Sequence, residues 1–428
     1  MATTSVMAKT STMATTSTGR MLAAGAIGNV LEWYDFAVYG YFATSIGRTF
    51  FPKADPVAQL LAAFGIFAVG FLMRPIGGAV FGHIGDRLGR RVALNLSVIA
   101  MAVPTFLVGI LPGYDTLGLA APILLTGLRM VQGLSVGGEF TTSIVFMVER
   151  ASPERRGLVG AVADLGAVTG ILAGSASGAV LESLLSPESL HAWGWRVPFW
   201  IGLGVGLTGL ALRRGLQEEP VAARQHASPL LASFRDHWRV LLRLASLSAF
   251  SAVGFYLMFV YIVSWLQFTK GVPAAEALVI NTVSMALLLP VETAMAWLSD
   301  RIGRRPVMLA ATGFAVVAAW PLLWLMHSGS MAWMLAGQFG FVLSIGTFLG
   351  CLPTLMVEVV PRAVRCTAIA LGYNVTLGIV GGLSPLVATW LVERTGNDYS
   401  PAFMIMIAAA ISFVALLGVR VDQKAPLS

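Results

Sequence analysis

The sequence predicts an all-α integral membrane protein with twelve transmembrane helices in two six-helix bundles, and three observations lead there. First, the 428 residues are 57% hydrophobic and only 11% charged, with mean hydropathy +0.79, whereas an ordinary soluble domain carries ~25% charged residues. A soluble core cannot absorb that much apolar surface, so lipid must be the solvent. Second, apolar runs of ~20 residues, the length that crosses a bilayer as a helix, succeed one another along the chain. Third, Asp-Arg-x-Gly-Arg-Arg occurs twice, at Asp86–Arg91 and Asp300–Arg305, and marks two repeated halves.

Taken in order, residues 1–20 are Ser/Thr-rich, lack a secretory apolar core and cleavage site, and read as a disordered cytoplasmic tail. The N-terminal bundle, 21–212, holds apolar runs at 21–46, 57–81, 92–111, 118–148, 157–182 and 195–212. The longest polar segment, 213–243, is a central cytoplasmic loop. The C-terminal bundle, 244–420, holds runs at 244–269, 275–298, 306–327, 331–357, 365–391 and 400–419, and 421–428 forms a second tail. Gly and Pro within these runs fit membrane helices. Only Arg48, Lys53, Arg196, Lys270 and Arg394 fall in loops of one side, while the remaining loop Lys and Arg fall on the other. That asymmetry places both termini on the cytoplasmic side of the membrane. The formal charge of +7 therefore reports topology and contact with lipid headgroups rather than nucleic acid.

Cofactor chemistry finds no foothold. Cys351 and Cys366 form no CxxC or Cys/His cluster, so neither a metal nor a disulfide framework is expected. Gly204–Gly209 spells G-x-G-x-x-G, but it lies in an apolar run with no preceding strand. There is no P-loop to bind ATP, so an ion gradient is the natural power source, and no catalytic motif suggests an enzyme.

Charges inside the runs are the functional signal, because each costs about 2.5–3.5 kcal/mol at the bilayer centre on insertion scales. They are Glu32, Asp35, Arg74, Arg129, Glu139, Asp164 and Glu292, all but the last in the first half. At ~100° per residue, Asn29, Glu32, Phe36 and Tyr39 share roughly 80° of arc on the first helix, with Asp35 about 40° beyond its edge. Glu32 and Asp35 stand ~18 and ~22 Å along the helix from Arg20, near mid-membrane. Trp33 and Tyr34 point elsewhere and read as packing. Arg129 and Gln132 share a face of the fourth helix, where the guanidinium can hold Glu32 or Asp35 ionised. Arg74, Glu139 and Asp164 lie in the inner half and suit a buried network, static or gating. Glu292, two turns before Asp300, reads as a cap for the following loop or a functional group. Gly166, Gly170, Gly174 and Gly178 form a small-residue ladder for close packing. Tyr256, Tyr261, Trp265 and Gln267 on the seventh helix, with Tyr373 and Asn374 on the eleventh, offer an aromatic face for a cationic or zwitterionic ligand.

The repeated loop, together with "LRMVQGLSVGGEF" (Leu128–Phe140), resembles the signatures of the major facilitator superfamily. "GNVLEWYDFAVYGYF" (Gly28–Phe42), "FLMRPIGGAVFG" (Phe71–Gly82) and "WGWRVPFWIG" (Trp193–Gly202) are similar to its metabolite:proton symporters, which carry proline and betaine, oxoglutarate, citrate or shikimate. "ADPVAQ" (Ala54–Gln59) and "SPLVATWLVE" (Ser384–Glu393) resemble the proline/betaine branch. The resemblance implies two bundles that rock about a central site and a monomer that symports a small metabolite with H⁺. Substrate contacts are expected from Asn29, Glu32, Phe36, Tyr39, Arg129, Gln132, Tyr256, Tyr261 and Asn374. Proton coupling is expected from Asp35, Arg129, Glu139 and Asp164. Gating is expected from Asp86, Arg87, Arg90, Asp300, Arg301 and Arg304, with Asp86→Asn more damaging than Asp300→Asn because the second loop has fewer glycines. The alternatives are uptake of an organic acid held by Arg129 or Arg74, a drug/H⁺ antiporter, or a non-transporting sensor. The sequence ends at Ser428 without the long C-terminal coiled coil of some members of that branch, so regulation through such a coil is not expected.

Overall fold

The structure is a computed structural model and describes residues 29–53, 55–88, 90–136, 139–213, 238–361 and 365–419. Among these, twelve long helical segments follow one another without a strand. In the first half they are α1 (29–50, with one turn at Phe42), α2 (Pro56–Leu72 continued by Arg74–Leu88), α3 (Arg90–Ile110), α4 (Ala120–Ser135 continued by Glu139–Arg150), α5 (Arg156–Leu184) and α6 (Val197–Arg213). In the second half they are α7 (Trp238–Lys270), α8 (Ala274–Ile302), α9 (Arg304–His327), α10 (Met331–Val359), α11 (Arg365–Val375 carried on to Thr395) and α12 (Ser400–Leu417). Eight of them, α2, α5 and α7–α12, are long and apolar enough to cross a membrane. The tails 1–20 and 421–428 and most of 213–243 lie outside the described residues; α7 already begins at Trp238.

Local chemistry sets the helix ends. Asp55 accepts from the Val57 N–H at 2.7 Å and Pro56 follows at the first helical position, which starts α2. Gly271 (φ 62°) and Gly396 (φ 63°) adopt the left-handed conformation that ends α7 and α11. Gly303 (φ 107°) makes the one-residue turn between α8 and α9. Two π turns interrupt regular helix, at Tyr256–Tyr261 in α7 and Thr376–Gly381 in α11. Such wide turns are rare and recur at functional sites, and each carries a residue that lines the central cavity described below.

The two halves meet along two seams, α5 against α8 and α2 against α11. Small residues bring α5 close to its neighbours. Gly170 lies on the backbone of Val30, where a Cβ would strike the Val30 carbonyl, and Gly174 faces Ala37. Large apolar side chains such as Val317 and Val414 instead point outward, 76% and 66% exposed, as a lipid-facing surface requires. Buried charged groups are gathered at the interior of the first bundle and along the seams, and those positions define the site.

Candidate functional site

The tightest polar cluster surrounds Asp35. One carboxylate oxygen accepts from Arg129 Nη1 at 2.6 Å; the other accepts from the Thr105 hydroxyl at 2.6 Å and Gln132 Nε2 at 2.7 Å. Gln132 also accepts from Arg129 at 3.0 Å and donates to Thr105 at 2.9 Å. Asp35, Thr105, Arg129 and Gln132 are all 0% exposed. The Phe36, Tyr39 and Phe67 rings surround the guanidinium, with centroids 4.5, 4.4 and 6.0 Å from it, and its buried Nε and Nη2 meet no hydrogen-bond partner. Low dielectric strengthens these bonds, and an ionised carboxylate so buried needs them all. Of the two pairings left open by the sequence, Arg129 takes Asp35. Every partner belongs to α1, α3 or α4, so the cluster lies wholly within the first bundle.

One turn away, Glu32 meets Arg74 at 3.0 Å. This corrects the expectation that Arg74 joins Glu139 and Asp164. The Arg74 guanidinium lies 5.5 Å from the Trp33 ring centroid and 5.2 Å from that of Phe71. Its Nε and Nη1 are buried and have no acceptor other than the Tyr256 hydroxyl beside them. Trp33 stacks on Tyr256 at 6.4 Å across the bundle interface, and Phe71 meets Tyr256 edge-on at 5.1 Å. Immediately in front of this group lies a central cavity lined by Trp33, Asp164, Phe255, Tyr256, Tyr373 and Leu377, among others. Its free volume of ≈ 20 Å³ is enough for about one water molecule, so the bundles must part to admit a larger solute.

Both ends of the cavity are closed. At the arginine-rich end, Asp300 accepts from the backbone N–H groups of Gly157 (2.8 Å) and Leu158 (3.1 Å), which begin α5 in the other bundle. A carboxylate at a helix N-terminus is the favoured charge there. Arg304 braces that carboxylate at 2.7 Å and reaches Glu358 at 3.4 Å. Thr354 donates to the Arg156 carbonyl at 2.9 Å, and Arg365 pairs with Glu149 at 2.6 Å. At the opposite end, Ser175 of α5 bonds Thr282 (2.7 Å) and accepts from Asn281 (3.2 Å) of α8.

The sequence-predicted residues thus divide. Tyr256 lines the cavity, Glu32 stands behind that lining on Arg74, and buried Asn374 neighbours Tyr373 on α11. Phe36, Tyr39, Arg129 and Gln132 surround Asp35 instead of lining the cavity. Tyr261 packs against Phe64 at 6.0 Å, away from it. Asp164 lines the cavity. Of the second loop, Asp300 and Arg304 join the closure, while Arg301 lies 3.8 Å over the exposed Trp297 ring. The side chains of Asp86, Arg87, Arg90 and Glu139 lie outside the described residues. Glu292 caps no loop: it is 0% exposed at mid-helix and turned to α5. Thr105, Trp33 and Phe71 were missed. Trp33 had a signal, since it sits about 40° beyond Asn29, as near the polar arc as Asp35.

Residues 25–385 match the family model described as Major Facilitator Superfamily. The glycine betaine/proline/ectoine/pipecolic acid transporter of Dickeya dadantii is 34% identical over 424 residues, covering 95% of this chain and 84% of that protein. The proline/betaine transporter of Escherichia coli gives the same identity and coverage. A putative proline/betaine transporter of Staphylococcus aureus is 36% identical over 409 residues, covering 93% of this chain and 87% of its own. Among solved structures, a D-xylose–proton symporter superposes with a TM-score of 0.75 at 19% identity, over 92% of this chain and 96% of that one. The inward-open xylose transporter of E. coli gives 0.72 at 17% identity, over 92% and 94%. At such identity the structural likeness speaks for the fold alone.

Proposed function

Because the chain belongs to the Major Facilitator Superfamily, we propose that it is a secondary transporter that takes up a small zwitterion of the proline/betaine kind together with H⁺. It is a multi-pass membrane protein rather than an enzyme, working as a monomer in the lipid of a bacterial inner membrane. The arginine distribution along the sequence supports cytoplasmic termini, which makes the end closed by Asp300 the cytoplasmic one. The observation that carries the substrate class is the pairing of opposites behind the aromatic wall of the cavity. Arg74 offers two buried N–H groups whose one nearby acceptor is the Tyr256 hydroxyl, a neutral group that a ligand carboxylate can displace. Within the same cluster stand the Trp33 and Tyr256 rings and the Glu32 carboxylate. A carboxylate satisfies the first set, and a positive nitrogen satisfies the second through cation–π and ionic attraction. An organic acid without a nitrogen would use only Arg74. The names of the proline/betaine relatives point the same way.

In this reading Asp35 carries the proton and Arg129 stabilises its ionised form. Asp35 is sealed from water in the occluded state, so it exchanges its proton only when the first bundle is opened toward one side. The test is uptake of labelled glycine betaine and proline by cells or proteoliposomes with an imposed proton gradient. Uptake is expected to collapse on adding a protonophore and to survive removal of sodium. Full accumulation with the protonophore present overturns the coupling. Accumulation of citrate with no uptake of either zwitterion overturns the substrate class.

A further inference from the structure

Helices α5 and α8 run antiparallel across the interface of the two bundles, and their facing residues keep step from end to end. Gly157 and Leu158 meet Asp300, Ser175 meets Thr282 and Asn281, and Gly178 faces Leu278. Between these fixed points the same register sets Asp164 of α5 against Glu292 of α8. At ~1.5 Å per residue the two lie ~10 and ~12 Å along their helices from the Asp300 closure. Glu292 is 0% exposed and Asp164 6%. Beyond Asp164, Glu292 meets no hydrogen-bond partner, and Asp164 opens onto the central cavity.

The groups around the two carboxyls offer no compensating charge. From α10 the titratable neighbour of Glu292 is Cys351, and from α11 that of Asp164 is Tyr373. Asp300 and Arg304, nearer the arginine-rich end, hold each other, and Arg304 reaches Glu358, which also faces Arg156. Arg74 is held by Glu32. Among the described residues no cation pairs with Asp164 or Glu292. Two facing carboxyls removed from water and without a cation cannot both stay ionised. Glu292 has no partner but another carboxyl, and the smallest occupant that lets the two face each other is a proton.

We propose that Asp164 and Glu292 form a shared-proton site on the seam between the bundles, occupied while α5 and α8 are packed and emptied when they part. This deepens the proton-coupled reading given above and is separate from Asp35, whose partners all lie within one bundle. The proton enters from water in the cavity through Asp164, the member that lines it, and returns to water when the seam opens. Loss of the proton leaves two like charges face to face, so rising pH should open the seam and falling pH should close it.

The test uses the purified full chain, with cysteines at Leu165 and Thr293, which flank the pair and line one groove along the outside of the seam. Single-cysteine variants control for Cys351 and Cys366. Cross-linking yield is expected to fall about threefold or more between roughly pH 6.5 and pH 9, the direction set by linkage when the packed form binds the extra proton. In Glu292→Gln the yield should no longer depend on pH. Asp164→Asn should behave alike and serves if Glu292→Gln does not fold. Infrared spectra at about pH 7 should show a protonated-carboxyl band that Glu292→Gln removes and Asp35→Asn leaves in place. Wild-type pH dependence in both seam variants, or a band that survives Glu292→Gln, overturns the proposal. Neither readout involves substrate, so failure of betaine uptake would count against the functional reading and leave this result standing.

Discussion

Arg74→Gln is expected to weaken binding of betaine or proline roughly 10- to 150-fold, and the size follows from what the guanidinium holds. Arg74 is 1% exposed, donates one bond to Glu32 at 3.0 Å, and leaves Nε and Nη1 with no acceptor but the Tyr256 hydroxyl. A hydrogen bond to a charged group contributes about 1.5–3 kcal/mol, and each ~1.4 kcal/mol is a factor of ten in affinity. Losing one such bond to the ligand carboxylate gives the range stated. The single substitution also removes the cation that faces buried Glu32, which costs about 3–5 kcal/mol of stability, so weak binding by that variant alone would be ambiguous. The pair Glu32→Gln/Arg74→Gln removes both charges and should recover most of that stability, because neutralising a whole buried pair is often nearly neutral. Its affinity should stay low, since the donors are still gone. Equilibrium binding and thermal unfolding, measured on the same purified samples, separate the two effects. A stably folded double variant with wild-type betaine affinity would refute Arg74 as the carboxylate ligand.

Trp33→Leu and Tyr256→Leu should each reduce betaine affinity by about 0.5–2 kcal/mol, the range of a cation–π contact. Equal losses for a nitrogen-free organic acid would show that the rings only pack. Asp35→Asn should abolish uphill accumulation yet permit counterflow, because an amide cannot titrate, and retained accumulation in proteoliposomes would exclude Asp35 as the carrier. Asp300→Asn weakens two bonds to the start of α5 and one to Arg304, so it should favour the form open at the arginine-rich end by about 1–3 kcal/mol. Protease access to that end should rise, and an unchanged digestion rate would contradict the closure. This makes Asp300→Asn a substantial lesion, where the glycine-poor loop alone had suggested a mild one. Outside the spans, His191 sits between Ser45 (3.0 Å) and Arg48 (3.2 Å), where burial, then the Arg48 charge, push its pKa below the usual histidine value despite Glu188. The unfolded chain therefore binds that proton more readily. The stability His191 contributes is complete above about pH 6.5 and lost as pH falls through the lower folded value. His191→Gln should flatten thermal stability on the acid side, and an unchanged slope below about pH 6.5 would exclude it.

Much of the architecture was legible because lipid imposes simple rules. Apolar run length, the repeated Asp-Arg-x-Gly-Arg-Arg and the arginine asymmetry suffice for helices in two halves, and helical spacing placed Glu32 on a polar face. Partner identity was not legible. Nothing local distinguishes Asp35 from Glu32 as the mate of Arg129; the choice depends on how α3 and α4 cross, which brings Thr105 and Gln132 to one carboxylate. Arg74 is placed by its height in the membrane, but its partner depends on which face of α2 meets α1, and that face brings it to Glu32. Glu292 looked like a cap because it lies two turns from a loop, and only the antiparallel register of α5 and α8 turns it toward Asp164. Phe36 and Tyr39 have the right residue types for a binding face, yet their rings are engaged by Arg129.

On the proposed mechanism, this division of partners also explains how one helix can link proton to substrate. Glu32 and Asp35 are three residues apart, about 60° around α1 and one turn along it. Asp35 is bound by Arg129, Gln132 and Thr105, all in the first bundle, so a change in its charge alters how α1 sits among α3 and α4. Glu32 holds Arg74, and its neighbour Trp33 stacks on Tyr256 of the second bundle. A ligand between Trp33 and Tyr256 is therefore held by both bundles at once. A helix transmits a displacement over one turn almost undiminished, because its backbone hydrogen bonds fix the rise and rotation of each residue. Movement of α1 when Asp35 gains a proton must then shift Glu32 and Trp33 against Arg74 and Tyr256. Coupling needs no longer path than that turn. Substitutions around Asp35 should therefore uncouple transport while sparing affinity, and those around Glu32 should weaken affinity while sparing the response to pH.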